Sequence, residues 1–598
     1  MKILGLCDSI ESHACLIEDG KLLAAISEER LSRLKADAGY PRKSIDKVLK
    51  ITNTKPHELD YVVIAGFDNG IFQSIYKPIA LFSVKNWIEQ NEVFWKPKLL
   101  FNKNLSGLDD YLYWEKKFPK IKKNDYYSFI KIAKKSKPEA YKKIFNEIRK
   151  KTISNQLGIS KDKIKVFRHE LCHQYYGLYS QQQQKKDPLI LTLEGRGDDS
   201  SATISVVEKD QIKEKYRTNN AMLGRIYRYV TLLLGMKPGQ HEYKVMGLAP
   251  YGLRYHGLKS LKHFENFNKI VGHRILKLKK FNDVYFSSRK ILHGERFDGI
   301  AWGLQTYTES FLKKWVLNCI KKFKKKNIIF SGGVAQNIKG IKTLAEEKNI
   351  SSIWAGPISG DGSLAIGAAW AATKKFDKKN KIKRLSSIYL GSEMNDLEIE
   401  RVINKYCKKF KIKKKVSNKN VANWISKGLV VARCKGRMEF GQRALGNRSI
   451  LADPRRISSV EKINSKIKYR DFWMPFTPSI TYEGCKKMLV NPKKIYSPFM
   501  TMAFDLKNGY PEKIPAVIHP ADKTTRPQML KKEDNRDYYE LIKEFEKISG
   551  LPVLLNTSFN LHGDAIVESP LQAVKTFLKS DIDILILNEY TIIRRQIN

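Results

Sequence analysis

An apolar run followed by a glycine-containing turn occurs three times in this sequence, and it constrains the fold more than any other feature. The pairs are residues 189–193 before 194–199, residues 328–330 before 331–334, and residues 353–354 before 360–362. Short apolar runs bounded by glycine are typical of buried strands. The last two turns precede helical patterns, and strands whose turns open helices are typical of α/β proteins. We therefore predict an α/β fold.

Changes in composition along the 598 residues indicate the domain boundaries. The apolar runs 3–6, 14–17 and 22–26, with a tight turn at Asp19-Gly20, predict an opening hairpin. From about residue 77 to residue 151 the chain is rich in Lys, Tyr and Phe, which predicts an inserted basic helical region. The charged, glycine-free segment 374–386 predicts a linker. We expect one domain at residues 1–373 and a second at residues 387–598.

Composition narrows the class of protein further. Lys and Arg number 110 against 61 Asp and Glu, a net charge of +49. Because the lysines are spread along most of the chain, solvated faces are favoured over one binding surface, although such an excess also suits a nucleic acid or an acidic membrane. No apolar run of about 18 uncharged residues predicts a membrane span. Seven cysteines without a C-x-x-C pair favour a reducing cytoplasm over a disulfide framework.

The sharpest local pattern is His169-Glu-Leu-Cys-His173. On a helix, residues four apart lie on one face, so both imidazoles could bind one metal ion. Asp361, in the third glycine turn, is a candidate carboxylate ligand. The same pattern fits the H-E-x-x-H motif of zinc proteases, in which Glu170 would be the general base. A pair of ordinary surface or core histidines is a further interpretation that the pattern leaves open.

The three glycine turns could hold a nucleotide. Glycine lets backbone N–H groups approach phosphate oxygens, and helix N-termini favour anions. None of the turns matches a P-loop or a G-x-G-x-x-G fingerprint, so each one alone is compatible with an ordinary turn. Together, in their strand–turn contexts, they predict the phosphate-binding architecture of the actin, sugar-kinase and heat-shock ATPases.

Arginines gather with small polar residues in the second half of the chain. The clusters are residues 435–449, residues 466–478, and residues 524–526 with 556–558. A guanidinium group binds a phosphate or a carboxylate through two parallel hydrogen bonds, and Ser, Thr and Asn supply further hydrogen bonds. Scattered surface ion pairs are the alternative, but glycine-rich spacing around Arg437, Arg443 and Arg448 is a poor way to build a solvated face. We predict a site for a small, multiply charged substrate beside a nucleotide.

Several stretches resemble the ATP-dependent O-carbamoyltransferases of antibiotic and nodulation-factor biosynthesis. They are Glu28-Glu-Arg30 and residues 242–252, 436–454 and 552–560. The family's N-terminal domain is similar to the ATPase-fold proteins that transfer threonylcarbamoyl groups to tRNA, and its C-terminal domain to the synthase of threonylcarbamoyl-adenylate. The resemblance therefore implies a duplicated actin/sugar-kinase/heat-shock-like fold followed by a C-terminal α/β domain.

The resemblance also implies a reaction. The C-terminal domain would form carbamoyl-adenylate from ATP and carbamoyl phosphate, and the N-terminal domain would pass the carbamoyl group to a hydroxyl of a sugar or sugar-containing small molecule. The positions implied for the first site are Arg437, Lys468, Arg470, Arg526, Asn556, Thr557 and Ser558. Those implied for holding the adenylate in the N-terminal domain are Thr192, Gly195, Arg196, Gly332, Gly333 and Val334.

A divalent metal is implied as well, held by His169, His173 and Asp361, where it would polarise the carbamoyl oxygen as a Lewis acid. The resemblance suggests iron, and ligands of this type also accept zinc and other divalent ions. It further suggests a homodimer in the cytoplasm with small-molecule substrates.

Two positions depart from the family pattern. Ile10 stands where the first turn of the family usually has a histidine, and His13 is the nearest candidate to replace it. Glu194 begins the turn after residues 189–193, where aspartate is common. The general base for the acceptor stays open, and three other functions do too: a tRNA or nucleic-acid modifier, an H-E-x-x-H metalloprotease, and a binding protein without turnover.

Overall fold

The computed structural model describes residues 1–67, 71–72, 82–182, 185–278, 283–377 and 379–594, and it divides the chain into two units, Met1–Ser386 and Ser387–Asn598. The segment predicted as a linker is partly built into the first unit. Helix Leu364–Phe376 extends three residues into it. The backbone N–H groups of Lys383 and Leu385 donate to carbonyls of the first unit.

The first unit contains two sheets with the same topology. In each sheet, three consecutive strands pair in antiparallel order. A later strand pairs in parallel with the first of these three, and a fifth strand pairs in parallel with that later one. The first sheet has the order β3-β2-β1-β4-β5, with β1 Lys2–Cys7, β2 His13–Glu18, β3 Lys21–Ser27, β4 Tyr61–Ala65 and β5 Ile164–Phe167. The second has the order β8-β7-β6-β11-β12, with β6 Pro188–Leu193, β7 Ala202–Glu208, β8 Gln211–Thr218, β11 Asn327–Ser331 and β12 Ser352–Ala355.

This repeat confirms the predicted duplicated α/β fold. Strand β6 is buried at every position, which explains its continuous apolar run. The pair β9 Asn268–Val271 and β10 Arg274–Lys277 forms a separate two-stranded sheet. The helices of the first unit are Glu28–Ser32, Arg42–Ile51, Val84–Gln90, Lys96–Leu100, Gly107–Lys117, Tyr127–Ala133, Tyr141–Leu157, His169–Tyr179, Leu223–Leu233, Glu242–Leu248, Arg254–Glu265, Tyr285–Ile291, Phe297–Phe323, Ile338–Glu346 and Leu364–Phe376.

Two helices at the centre of the first unit approach each other closely. Helix Leu364–Phe376 packs on the first sheet and on helix His169–Tyr179. A Cβ atom added to Gly367 would lie 2.0 Å from the carbonyl oxygen of Cys172, so only glycine allows this spacing. Because Cys172 precedes His173 directly, the contact fixes where the histidine helix lies.

The start of the predicted insertion, residues 77–81, lies outside the described residues, and from Val84 to Leu157 the chain is helical apart from short connections. Several of its aromatic side chains, among them Trp114, Phe129 and Phe145, are buried in one cluster with residues of the first sheet. Its lysines therefore lie on a helical region whose other face is part of the core. Among the described residues, no helix is long and apolar enough to cross a membrane.

The second unit is built on a mixed sheet, which confirms the predicted C-terminal α/β domain. Its strand order is β13-β20-β19-β14-β15-β18-β16-β17. The strands are β13 Lys411–Lys414, β14 Val431–Cys434, β15 Arg448–Ala452, β16 Thr477–Thr481, β17 Gln528–Leu530, β18 Val553–Ser558, β19 Ile584–Leu587 and β20 Tyr590–Ile593. The helices are Asp396–Tyr406, Asn418–Ser426, Ile457–Ile463, Tyr482–Met488, Arg536–Ser549 and Pro570–Leu578.

Candidate functional site

Two imidazoles and two carboxylates converge in the first unit. His169 and His173 lie on one helix, and their Nε2 atoms are 3.1 Å apart. An oxygen of Glu194 lies 2.7 Å from Nε2 of His169 and 3.4 Å from Nε2 of His173. Oδ1 of Asp361 lies 3.6 Å from both nitrogens. The structure thus brings the three predicted ligands together and adds Glu194 as a fourth.

The two carboxylates dominate the electrostatics of this cluster. Burial alone would lower the histidine pKa values, but Glu194 and Asp361 raise the pKa of His169 to about 10, and Glu194 raises that of His173. The same contacts lower the pKa of Glu194 despite its burial. The donor atoms all lie within 4.8 Å of one another, as they would around one divalent ion. Two nitrogens and two carboxylate oxygens therefore fit a divalent metal by geometry and charge.

The glutamate of the H-E-x-x-H pattern is directed away from this cluster. Oε1 of Glu170 accepts hydrogen bonds from the backbone N–H groups of Ser200 (3.1 Å) and Asp199 (3.3 Å). Its carboxylate therefore stabilises the glycine turn between β6 and β7. Because a zinc protease needs this carboxylate beside the metal-bound water, the metalloprotease interpretation is wrong on geometry.

The turns around the cluster are held by specific backbone contacts. Oδ2 of Asp198 accepts hydrogen bonds from the backbone N–H of His169 and of Phe67, both at 2.9 Å, which ties the first turn of the histidine helix to the loop after β4. Gly332 has a φ of +90°, and a Cβ there would lie 2.6 Å from the carbonyl oxygen of Leu193. Glycine is therefore required where the turn after β11 crosses the end of β6, next to Glu194.

The residues predicted to hold the adenylate do not all face the same space. Thr192 is fully buried, and its hydroxyl contacts that of Thr203 at 2.7 Å within the sheet, so that side chain is not directed to a ligand. Gly195 accepts a hydrogen bond from Nε of Arg225, and Arg196 is exposed. Gly333 is exposed with open space where a Cβ would be, and Val334 is partly buried.

His13, the candidate replacement for the family's first-turn histidine, has a structural role. It is fully buried, its Nδ1–H donates to the carbonyl of Glu11 (2.8 Å), and its Nε2 accepts from the backbone N–H of Ala365 (3.1 Å). Burial lowers its pKa to about 4, so the ring is neutral. These contacts use both ring nitrogens within the protein, and whether His13 replaces the histidine missing at Ile10 or that role is lost stays a prediction.

In the second unit, cationic side chains gather at the end of β18. The ammonium of Lys468, although buried, donates to the carbonyl of Ser558 (2.6 Å), to the amide oxygen of Asn560 (2.8 Å) and to the Ser558 hydroxyl (3.2 Å). Arg470 donates to the hydroxyl of Thr557 at 3.1 Å. Asn556 is fully buried, and its Oδ1 has no hydrogen-bond partner. The structure thus groups five of the seven predicted residues of this site.

Arg437 and Arg526 come from neighbouring segments. Nε and Nη2 of Arg437 donate to the carbonyls of Gly391 (3.1 Å) and Leu390 (2.6 Å), and burial lowers its pKa. Arg526 lies two residues before Gln528 of β17, which pairs with Ser479 of β16 in parallel. Two residues before Ser479, Thr477 pairs with Asn556 of β18. Arg526 therefore belongs to the same end of the sheet as Asn556.

Two buried residues of the glycine-rich segment have scaffolding roles that its sequence did not indicate. Arg448 is fully buried and donates to the carbonyls of Asn447 (2.8 Å), Gly436 (3.1 Å) and Ser392 (3.1 Å). Oε1 of Glu439 accepts from the backbone N–H of Leu445 (2.6 Å) and of Arg448 (3.2 Å). These contacts fix the loop between β14 and β15, so Arg448 is not available to an external anion.

Comparisons with known proteins identify the family. Residues 2–370 match the family model of the carbamoyltransferase N-terminus, and residues 422–594 match that of the carbamoyltransferase C-terminus. The uncharacterized protein MJ1051 of Methanocaldococcus jannaschii is 32% identical over 607 residues, covering 99% of both chains. The nodulation protein NolNO of Sinorhizobium fredii is 28% identical, covering 98% of this chain and 79% of that protein.

Among solved structures, full-length HypF in its phosphate- and nucleotide-bound form covers 64% of this chain and 47% of its own, with 11% identity and a TM-score of 0.35. The fold assignment therefore depends on the repeated strand order, and the family on the sequence matches. Since those matches span both units, the chain belongs to the carbamoyltransferase family.

Proposed function

We propose that this carbamoyltransferase acts on a hydroxyl of a sugar or sugar-containing small molecule, with ATP and carbamoyl phosphate as co-substrates. The observation that carries the proposal is that each matched domain has its own polar site. The first unit has the cluster of His169, His173, Glu194 and Asp361, and the second has cations at the end of β18.

In the second unit, Arg470 would bind the phosphate groups of carbamoyl phosphate and ATP, with Arg437 and Arg526 as further cationic contacts. Lys468 would add positive charge and hold Ser558 and Asn560 in place. Thr557 and Ser558 offer hydroxyls beside those cations, and the Oδ1 of Asn556 could accept from a carbamoyl NH₂ group. Water would first release inorganic phosphate from carbamoyl phosphate and leave carbamate. A carboxylate oxygen of the carbamate would then attack the α-phosphorus of ATP, and the bond from that phosphorus to pyrophosphate would break. The product is carbamoyl-adenylate, a mixed anhydride whose AMP is a good leaving group.

In the first unit, Gly195, Arg196, Gly332, Gly333 and Val334 would contact the adenylate, because open backbone turns accept phosphate oxygens. Thr192 is left out of this set because its hydroxyl is used within the sheet. His169, His173, Glu194 and Asp361 would hold a divalent metal, which would polarise the carbamoyl oxygen. The resemblance favours iron, and the donor set itself also suits zinc or another divalent ion.

Pyrophosphate release from ATP, with and without carbamoyl phosphate and in the absence of an acceptor, tests the proposal. We expect release to rise at least about tenfold with carbamoyl phosphate. Release that ignores carbamoyl phosphate would contradict the proposal. Metal analysis of the purified protein should find about one divalent ion per chain, lost in a His169→Ala, His173→Ala double variant.

The remaining features implied by the resemblance also belong to this proposal. They are a homodimer, a cytoplasmic location and a small-molecule acceptor in preference to a nucleic acid. Light scattering tests the first feature. An RNA retention assay at graded salt tests the last, because binding through phosphates weakens steeply as salt rises.

A further inference from the structure

The turn between β1 and β2, residues 8–13, is fixed by buried contacts on both sides. Asp8 accepts two hydrogen bonds from Arg149, at 2.7 Å each, and a third from the hydroxyl of Tyr126 at 2.8 Å. All three side chains are buried. Arg149 and Tyr126 come from the helical insertion, so the insertion holds the first residue of the turn.

The other end of the turn is held by the core. The backbone N–H and the hydroxyl of Ser12 both donate to the carbonyl of Asp37, at 2.8 and 3.2 Å. His13 connects the carbonyl of Glu11 to the first turn of helix Leu364–Phe376 through its two ring nitrogens. Four side chains of the turn, Asp8, Ser9, Ser12 and His13, are therefore buried, and Ile10 and Glu11 are partly exposed.

Glu11 is the partly exposed ionisable side chain of this turn, and it lies beside the residue that follows Asp361, a member of the metal-type cluster of His169, His173, Glu194 and Asp361. Its φ of 60° is in the left-handed region, which residues with a Cβ adopt rarely and mostly where surrounding contacts impose it. Its Oε2 lies 3.0 Å from the position of a Cβ built on Gly362, the residue after Asp361. The carboxylate thus lies next to the turn that carries Asp361, and it is not one of the four grouped ligands.

We propose that Glu11 is the general base for the acceptor hydroxyl; this rests on the proposed function. The acceptor oxygen forms a bond to the carbamoyl carbon while its proton moves to the Glu11 carboxylate. The bond between that carbon and the phosphate oxygen breaks, and its electron pair leaves with AMP. The products are a carbamate ester and AMP, and the proton passes from Glu11 to solvent.

The test compares two acceptors that differ in their need for a base. Glycerol at molar concentration must lose a hydroxyl proton, whereas hydroxylamine attacks through a nitrogen lone pair. In Glu11→Gln, we expect carbamoylglycerol formation to fall at least about 100-fold, in keeping with the usual contribution of general-base catalysis. Hydroxyurea formation, pyrophosphate release and metal content should stay within about twofold of the wild type. The matched control is Glu18→Gln, at the far end of β2, which should leave all four unchanged.

Carbamoylglycerol formation by Glu11→Gln at the wild-type rate would overturn the proposal. An equal loss of carbamoylglycerol and hydroxyurea would overturn it too, because it would indicate a structural or metal-holding role. Failure of the proposed function shows itself differently, as wild-type protein that releases no pyrophosphate in response to carbamoyl phosphate.

Discussion

The sites of the two units differ in the sign of the charge that they need. In the first unit, the carboxylates of Glu194 and Asp361 lie beside two imidazoles, and these two negative charges suit a positively charged ligand. In the second, Lys468 and Arg470 gather around hydroxyl, amide and carbonyl oxygens and suit a negatively charged ligand. A cation site suits activation of a carbonyl, and an anion site suits binding of phosphates. On this difference we propose that the two half-reactions belong to separate units, and we expect each to be disrupted without the other.

The largest effect is expected from Lys468→Met, which keeps an unbranched side chain one atom shorter and removes its charge. Carbamoyl-phosphate-dependent pyrophosphate release should fall about 1,000-fold or more, because the buried oxygens of Ser558 and Asn560 lose their donor and the site loses a positive charge. The metal content should not change. Lys466→Met, two residues away on an exposed side chain, is the matched control. If Lys468→Met also lost the metal, the two sites would not be separable.

Arg526→Ala should give a similar loss of pyrophosphate release, since the guanidinium belongs to the same end of the sheet as Asn556. The measurement is the same assay, with the metal content of the first unit as its internal reference. Unchanged pyrophosphate release would remove Arg526 from the anion site and leave Lys468 and Arg470 as its cations.

A smaller effect on the opposite site is expected from His173→Ala. Removing one of four ligands should weaken metal affinity at least about 100-fold, since even outer-shell changes cost 10–100-fold. Transfer to an acceptor should fall with it, and pyrophosphate release should stay near the wild-type rate. Inductively coupled plasma analysis after dialysis measures the metal. Normal transfer by this variant would contradict the assignment of the cluster.

The smallest effect concerns the scaffold of the anion site. Asp537 pairs with Arg433 and Lys435, which lower its pKa to about 2 against the opposing effect of burial. Its lowered pKa stabilises the folded state above the unfolded value near pH 4, and this contribution is lost as pH falls towards 2. After discounting for partial exposure, we expect Asp537→Asn to lower the unfolding free energy by about 1 kcal/mol at pH 7.

Denaturant titration of Asp537→Asn and the wild type at pH 7 and at pH 2.5 would measure this difference. It should narrow at the lower pH, because the wild-type carboxyl begins to be protonated there. A difference that widened on acidification would show that the pair does not stabilise the second unit.

Local spacing along the chain predicted two of the four residues of the metal-type cluster. His169 and His173 are one helical turn apart, so their common face followed from the sequence. Asp361 followed from a glycine turn at a strand end. Glu194 begins the glycine turn after β6, and the sequence indicates no contact with the histidines. Only the tertiary structure shows that the end of β6 brings its carboxylate to the imidazoles. The sequence did offer one signal for Glu194. This carboxylate directly follows a buried strand, and a second strand is followed by Gly332-Gly333.

Other differences arose from orientation, which single residues do not reveal. The side chain of Thr192 lies within the sheet, where its hydroxyl forms a hydrogen bond with the hydroxyl of Thr203. Arg448 has the glycine-rich surroundings of an anion ligand, but it is fully buried and holds backbone carbonyls. His13 is near the position of the missing histidine in sequence, yet its ring caps a helix. In each case, burial decided between two roles that the residue type allows.

The separation of the two half-reactions is tested most directly with protein stripped of transition metal by a chelator and returned to Mg²⁺ and ATP. We expect carbamoyl-phosphate-dependent pyrophosphate release to continue within about twofold of the untreated protein, while carbamoyl transfer to an added acceptor is lost and returns with Fe²⁺ or Zn²⁺. Pyrophosphate release that stops with removal of the metal would contradict the separation of the two half-reactions.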